Sequence, residues 1–152
     1  MSKSSVGIRW WAAVLLALYS VVIARLTLAT ASSESGIFSL LDRLTSHASG
    51  GRLQWSQTEV LANVALFVPA GFLLAIVLGR AWLSTMACII ASAGIELAQQ
   101  RYLPSRVPSL ADVEHNGLGG LIGALAAWPF IRALRRRADR GVTQPPQLSP
   151  VG

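Results

Sequence analysis

Apolar side chains run in four long stretches, Ile8 to Thr30, Thr58 to Leu78, Ala81 to Gln100 and Leu110 to Ile131. Each is near the ~20 residues that a helix needs to cross about 30 Å of hydrocarbon. Only Gly79 and Arg80 part the second from the third, which predicts an antiparallel hairpin. In the loop after the first stretch, Ile37, Leu40, Leu41 and Leu44 recur at i, i+3, i+4 and i+7. That spacing predicts a short amphipathic helix in the membrane interface, stopped by Gly50-Gly51. Beyond Ile131 the chain turns basic and then reads Gln-Pro-Pro-Gln-Leu-Ser-Pro, without periodicity. The expected fold is an all-α integral membrane protein, with four transmembrane helices in a small bundle plus the interfacial helix. Residues 1–131 form the membrane domain, and 132–152 are expected to be a disordered basic tail.

Composition strengthens this expectation. Hydrophobic residues make up 53% of the chain and charged ones 13%, against about 25% charged in a soluble domain. A mean hydropathy of +0.51 excludes intrinsic disorder of the whole chain, and one cysteine excludes a disulfide framework or a cysteine-rich zinc site. The net charge of +6 would suggest nucleic acid in a soluble protein; in a membrane protein it first describes orientation. Lys3, Arg9, Arg80, Arg132, Arg135, Arg136, Arg137 and Arg140 all fall on one side if four helices alternate. The expectation is a plasma-membrane protein with both termini cytoplasmic and its two longer loops outside. A cleavable signal peptide ending near Ala29-Thr30-Ala31 is the competing account of the first stretch, although the apolar run continues past Arg25 and is long enough to span.

Candidate chemistry lies among polar residues that hydrocarbon disfavours, since a mid-membrane charge costs about 2.5–3.5 kcal/mol even on insertion scales. At 1.5 Å per residue, Asn63, Glu96 and Asn116 lie roughly 7, 6 and 9 Å inside the outer ends of the second, third and fourth spans. Cys88, Ser92, Glu96 and Gln99 share one face of the third span, and Asp112, Asn116, Gly119 and Gly123 share one face of the fourth. Both faces should look inward, with Gly119 and Gly123 allowing close backbone approach. Pro69 deprives the Ala65 carbonyl of its usual helical partner beside this cluster. The outer loop carries Arg106, whose guanidinium suits a carboxylate or an anionic ligand. The candidate site is therefore Asn63, Glu96, Gln99, Arg106, Asp112 and Asn116. Each member also has a structural explanation: Ser109 and Asp112 fit a capping box, Glu96 a buried neutralised acid, and the amides interhelical glue. Cys88 reads as a small apolar filler, and His115 as a surface or interfacial residue.

These residues carry a resemblance. Asn63-Val-Ala-Leu-Phe67-Val-Pro69-Ala-Gly71 looks like the asparagine-phenylalanine-proline-glycine motif of the VanZ-like family of small membrane proteins. Glu96 with Gln99 is similar to its glutamate-glutamine motif, and Arg106 followed by Asp112-Val-Glu-His-Asn116-Gly-Leu-Gly119 resembles its arginine, aspartate, asparagine and glycine segment. The motifs cover residues 60–124. The resemblance implies a cell-envelope setting and a link to teicoplanin resistance; it implies no reaction.

Three functions fit this pattern. An outward-facing site could bind the head group of a lipid, a cell-wall precursor or a glycopeptide-like amphiphile; Glu96 or Asp112 could act as general acid or base on such a substrate; or the chain could be an accessory subunit without a site. Membrane lipids are the expected partners. No nucleic acid, metal or cofactor is expected.

Overall fold

The computed structural model describes residues 3–27, 55–102 and 109–142. They form five helices, α1 (Lys3–Thr27), α2 (Trp55–Leu78), α3 (Ala81–Tyr102), α4 (Leu110–Ala126) and α5 (Trp128–Val142), and there is no strand among the described residues. Four segments are long and apolar enough to cross a membrane: Val6–Thr27, Gln57–Leu78, Ala81–Tyr102 and Leu110–Arg136. The interfacial helix expected around Ile37–Leu44 and the position of Arg106 lie outside the described residues.

The side-chain distribution is that of a protein dissolved in lipid. Large apolar groups such as Trp10, Leu18, Ile90, Leu97 and Leu125 are exposed, whereas the interior holds Ala75, Ser84, Cys88, Ser92, Ala124 and several glycines. Without a water-driven hydrophobic force, helices associate through close packing of small residues, and large side chains are left to face the tails. α4 is the element that most needs small residues. A Cβ on Gly119 would lie 2.2 Å from the Val64 carbonyl oxygen, and one on Gly123 would lie 2.0 Å from that of Val68, so this face is in backbone contact with α2. A Cβ on Gly120 would lie 2.6 Å from Cys88 Cβ, and one on Gly117 2.9 Å from Ile89 Cγ1. The glycines therefore admit α2 on one side of α4 and α3 on the other.

The α2–α3 turn is as short as expected. α2 ends at Leu78, Gly79 adopts the left-handed conformation (φ 68°) and α3 begins at Ala81. Gly79 N–H returns to the Ala75 carbonyl at 2.8 Å. Two arginines meet carbonyls at this end: Arg9 donates to Val77 O, and Arg135 Nη2 to Gly79 O at 2.6 Å. Cations are favoured at a helix C-terminus.

The last span carries a turn at Ala127, where Pro129 has no N–H to offer the Leu125 carbonyl, but the Ala127 N–H still meets the Gly123 carbonyl and the Ile131 N–H that of Ala127, so Leu110–Arg136 is one apolar span as expected. One expectation needs correction. The segment after residue 131, expected to be a disordered tail, is helical through Val142. Arginine is a good helix former, and Ile131 and Leu134 on one face pack with α1, α2 and α4 residues Ala12, Ile76 and Ala124 within one apolar cluster. Phe72 and Phe130 add an edge-to-face contact at 5.5 Å. Residues 143–152 lie outside the described residues.

Candidate functional site

The inward face of α3 is Ser84, Cys88, Ser92 and Gln99, all buried. The period of four, four and seven residues returns each to one stripe. Ser84 Oγ donates to the Gly71 carbonyl at 2.7 Å, so even the innermost hydroxyl is satisfied across the α2–α3 contact. On α4, buried Asn116 sits one turn before the glycines.

Hydrogen bonds tie the polar residues of three helices together at the end opposite the α2–α3 turn. Asn63 Nδ2 on α2 donates to Asp112 Oδ1 on α4 at 2.9 Å. The Ser109 N–H, preceding α4, donates to Glu96 Oε2 on α3 at 3.0 Å. Asn116 Nδ2 donates to Ser92 Oγ at 2.8 Å. The capping-box expectation is thereby redrawn. In such a box the N3 side chain accepts the N-cap N–H, but here Ser109, in extended conformation (φ −122°, ψ 116°), makes no side-chain cap, and a carboxylate from another helix takes the N3 role. Glu96 thus places negative charge at the N-terminus of α4, where the helix dipole favours it. Asp112 is left to accept from Asn63.

Gln99 is drawn elsewhere. Its Nε2 donates to the Thr27 carbonyl at 2.6 Å, so the side chain closes the end of α1 against α3. Tyr19 OH similarly donates to the Leu66 carbonyl at 2.8 Å. The sequence offered no signal for either α1 contact, because a hydroxyl in an apolar span has many possible partners. Ser92 was legible as a member of the α3 stripe, though not as the partner of Asn116.

Two shielded polar atoms, Asn116 Oδ1 and His115 Nδ1, have no hydrogen-bond partner among the described residues. His115 is half-buried. For Asn116, turning the amide over would merely exchange which of its two polar atoms is left over. Phe67 is buried on α2 and its Cβ would lie 3.0 Å from a Cβ on Gly119, which places the phenylalanine and glycine positions of the two motifs in contact. Pro69 is exposed within α2, which runs unbroken through it.

These features define a small multi-pass membrane protein whose central helix is packed through glycines and whose polar residues gather at one end. A scan against family models matches VanZ/LLP1 over residues 10–132. The chain belongs to the VanZ-like family. Searches of curated proteins and of solved structures find no match.

Proposed function

We propose that Asn63, Glu96, Arg106, Asp112 and Asn116 form an outward-facing site for the head group of an amphiphile: a lipid, a cell-wall precursor or a glycopeptide-like molecule whose tail lies along the helices. The observation that carries this reading is Asn116, 6% exposed, with its Oδ1 unpartnered among the described residues. A buried polar atom left unsatisfied costs about 1–3 kcal/mol, and hydrocarbon supplies nothing to relieve it. A hydroxyl or amide N–H of a head group would. Arg106 supplies the cation for an anionic group of the same ligand. Gln99, spent on Thr27, supports the wall rather than the ligand. The site faces outward because the positive-inside rule assigns the arginine-rich end to the cytoplasm. The family's link to teicoplanin resistance fits a ligand with a lipid tail and a polar head.

Both carboxylates accept from neutral donors, Asn63 and the Ser109 N–H, which suits recognition better than proton transfer. Glu96→Gln keeps an acceptor for Ser109 and removes the acid. In a host whose teicoplanin susceptibility depends on this protein, E96Q should leave the minimum inhibitory concentration within about twofold of wild type. Replacing Arg106 by Lys should weaken protection by about tenfold, the scale of one lost charge-assisted hydrogen bond. Complete loss in E96Q at normal expression would favour acid/base catalysis, and normal protection in both variants would argue against the site.

A further inference from the structure

We propose that the arginine-rich end carries a second, separate site, which holds the phosphate head group of an anionic phospholipid. A groove of about 600 Å³ lies between the α2–α3 turn and the start of α5, lined chiefly by Arg80, Trp82, Trp128, Arg132 and Arg135. That volume is within the ~300–1,000 Å³ usual for small-molecule sites.

The three guanidinium groups come from segments some fifty residues apart in sequence, and no acidic residue lines the groove with them. Like charges gathered in this way repel one another, and the arrangement calls for an anion. Two of the three are held in place. Arg132 lies over the Trp128 ring, 3.9 Å from its centroid, and Arg135 is anchored on Gly79 O. Each guanidinium has five N–H donors, so anchoring one leaves others for a phosphate. An orientation signal requires basic residues near a span but neither a concave wall nor fixed guanidinium planes; the groove has both.

The aromatic walls identify the source of the phosphate. Trp82 and Trp128 are exposed, at 62% and 51%, and indoles collect at the head-group level of a bilayer. Leu78 and Phe130, each within four residues of one of these tryptophans in sequence, are also exposed and offer apolar surface to acyl chains. Basic pockets between membrane helices on the cytoplasmic side are the recognised setting for anionic head groups. This site is independent of the one at the opposite end.

The test compares retention of phosphatidylglycerol and phosphatidylcholine by the full-length protein in detergent, counted by native mass spectrometry. Each arginine in direct contact with the phosphate contributes about fivefold, the scale of one hydrogen bond, so R80Q/R132Q should lower phosphatidylglycerol affinity about 25-fold and leave phosphatidylcholine unchanged. R136Q removes the same unit charge from the same helix without touching the groove, and should change it less than twofold. If the double variant lost its helical circular dichroism, R132Q alone would serve, with a fivefold effect expected. Equal losses in R136Q and R132Q would reduce the site to diffuse attraction and overturn the proposal. So would unchanged retention in a folded R80Q/R132Q. Displacement of the lipid by millimolar glycerol phosphate, with the same arginine dependence, would assign the groove to a soluble phosphate instead.

Discussion

Gly123→Val should abolish recovery of folded protein. The new Cβ would sit 2.0 Å from the Val68 carbonyl oxygen and 2.7 Å from Phe72 N. Both are backbone atoms inside a continuous helix, so no rotamer change relieves the clash. α2 and α4 must separate, and the Gly119–Val64 approach is lost with them. Overpacking in a core costs about 1–3 kcal/mol when side chains can give way; here they cannot, and more than about 3 kcal/mol is expected. Gly119→Val should behave alike. Gly94 is the control, since it is exposed with nothing within 4 Å of a Cβ. Gly94→Ala should match wild type or gain up to about 1 kcal/mol of helix propensity. The measurement is the fraction of detergent-solubilised protein that stays monodisperse on gel filtration after graded heating. Wild-type behaviour of G123V would refute the backbone contact between α2 and α4.

Asp112→Ala should cost both stability and function. It removes the acceptor of Asn63 Nδ2 across the α2–α4 contact. Interhelical hydrogen bonds in membranes average about 0.6 kcal/mol and reach about 1.7, and the stranded amide places this one toward the upper end. A double-mutant cycle with Asn63→Ala should therefore return a coupling of about 1 kcal/mol or more. Asp112→Asn separates the two roles. Its amide oxygen still accepts from Asn63, so thermal stability should stay within about 0.5 kcal/mol, whereas protection should fall if the ligand meets the carboxylate's charge. A cycle with no coupling would show that the bond does not hold the two helices, and full protection by a folded D112A would remove Asp112 from the site.

The spans and the inward faces were legible because both rest on periodicity. Gly79-Arg80 can only be a turn between two spans this long, and four-residue spacing puts Cys88, Ser92, Asn116, Gly119 and Gly123 on stripes that the structure buries. Periodicity identifies a face and says nothing of the neighbour it meets. Gln99 shared the Ser92 stripe, yet the position of the α1 terminus takes it to Thr27. Glu96 and Asp112 were legible as acids at one site; a backbone N–H and an amide, which no side-chain pattern advertises, decide where each carboxylate points. Gly117 and Gly120 lay outside the stripe chosen for α4, because one face was assigned to a helix that has neighbours on two. The turn at Ala127 was visible in principle, since Pro129 cannot supply an N–H to the Leu125 carbonyl. The arginine run conceals a helix for a related reason: charge suggested a tail, while Ile131 and Leu134 kept an apolar side against the rest of the protein.

The central proposal, that the polar cluster around Asn116 holds an amphiphile's head group, is tested most directly by mass spectrometry of amphiphiles that co-purify from native membranes. Wild type should retain a species with a hydroxyl- or amide-bearing head group near one per protein. Asn116→Leu, close in volume and without polar atoms, should lower that occupancy at least about tenfold, the scale of one or two lost hydrogen bonds, while R80Q/R132Q should leave the same species in place. An identical profile in folded wild type and N116L would contradict the proposal.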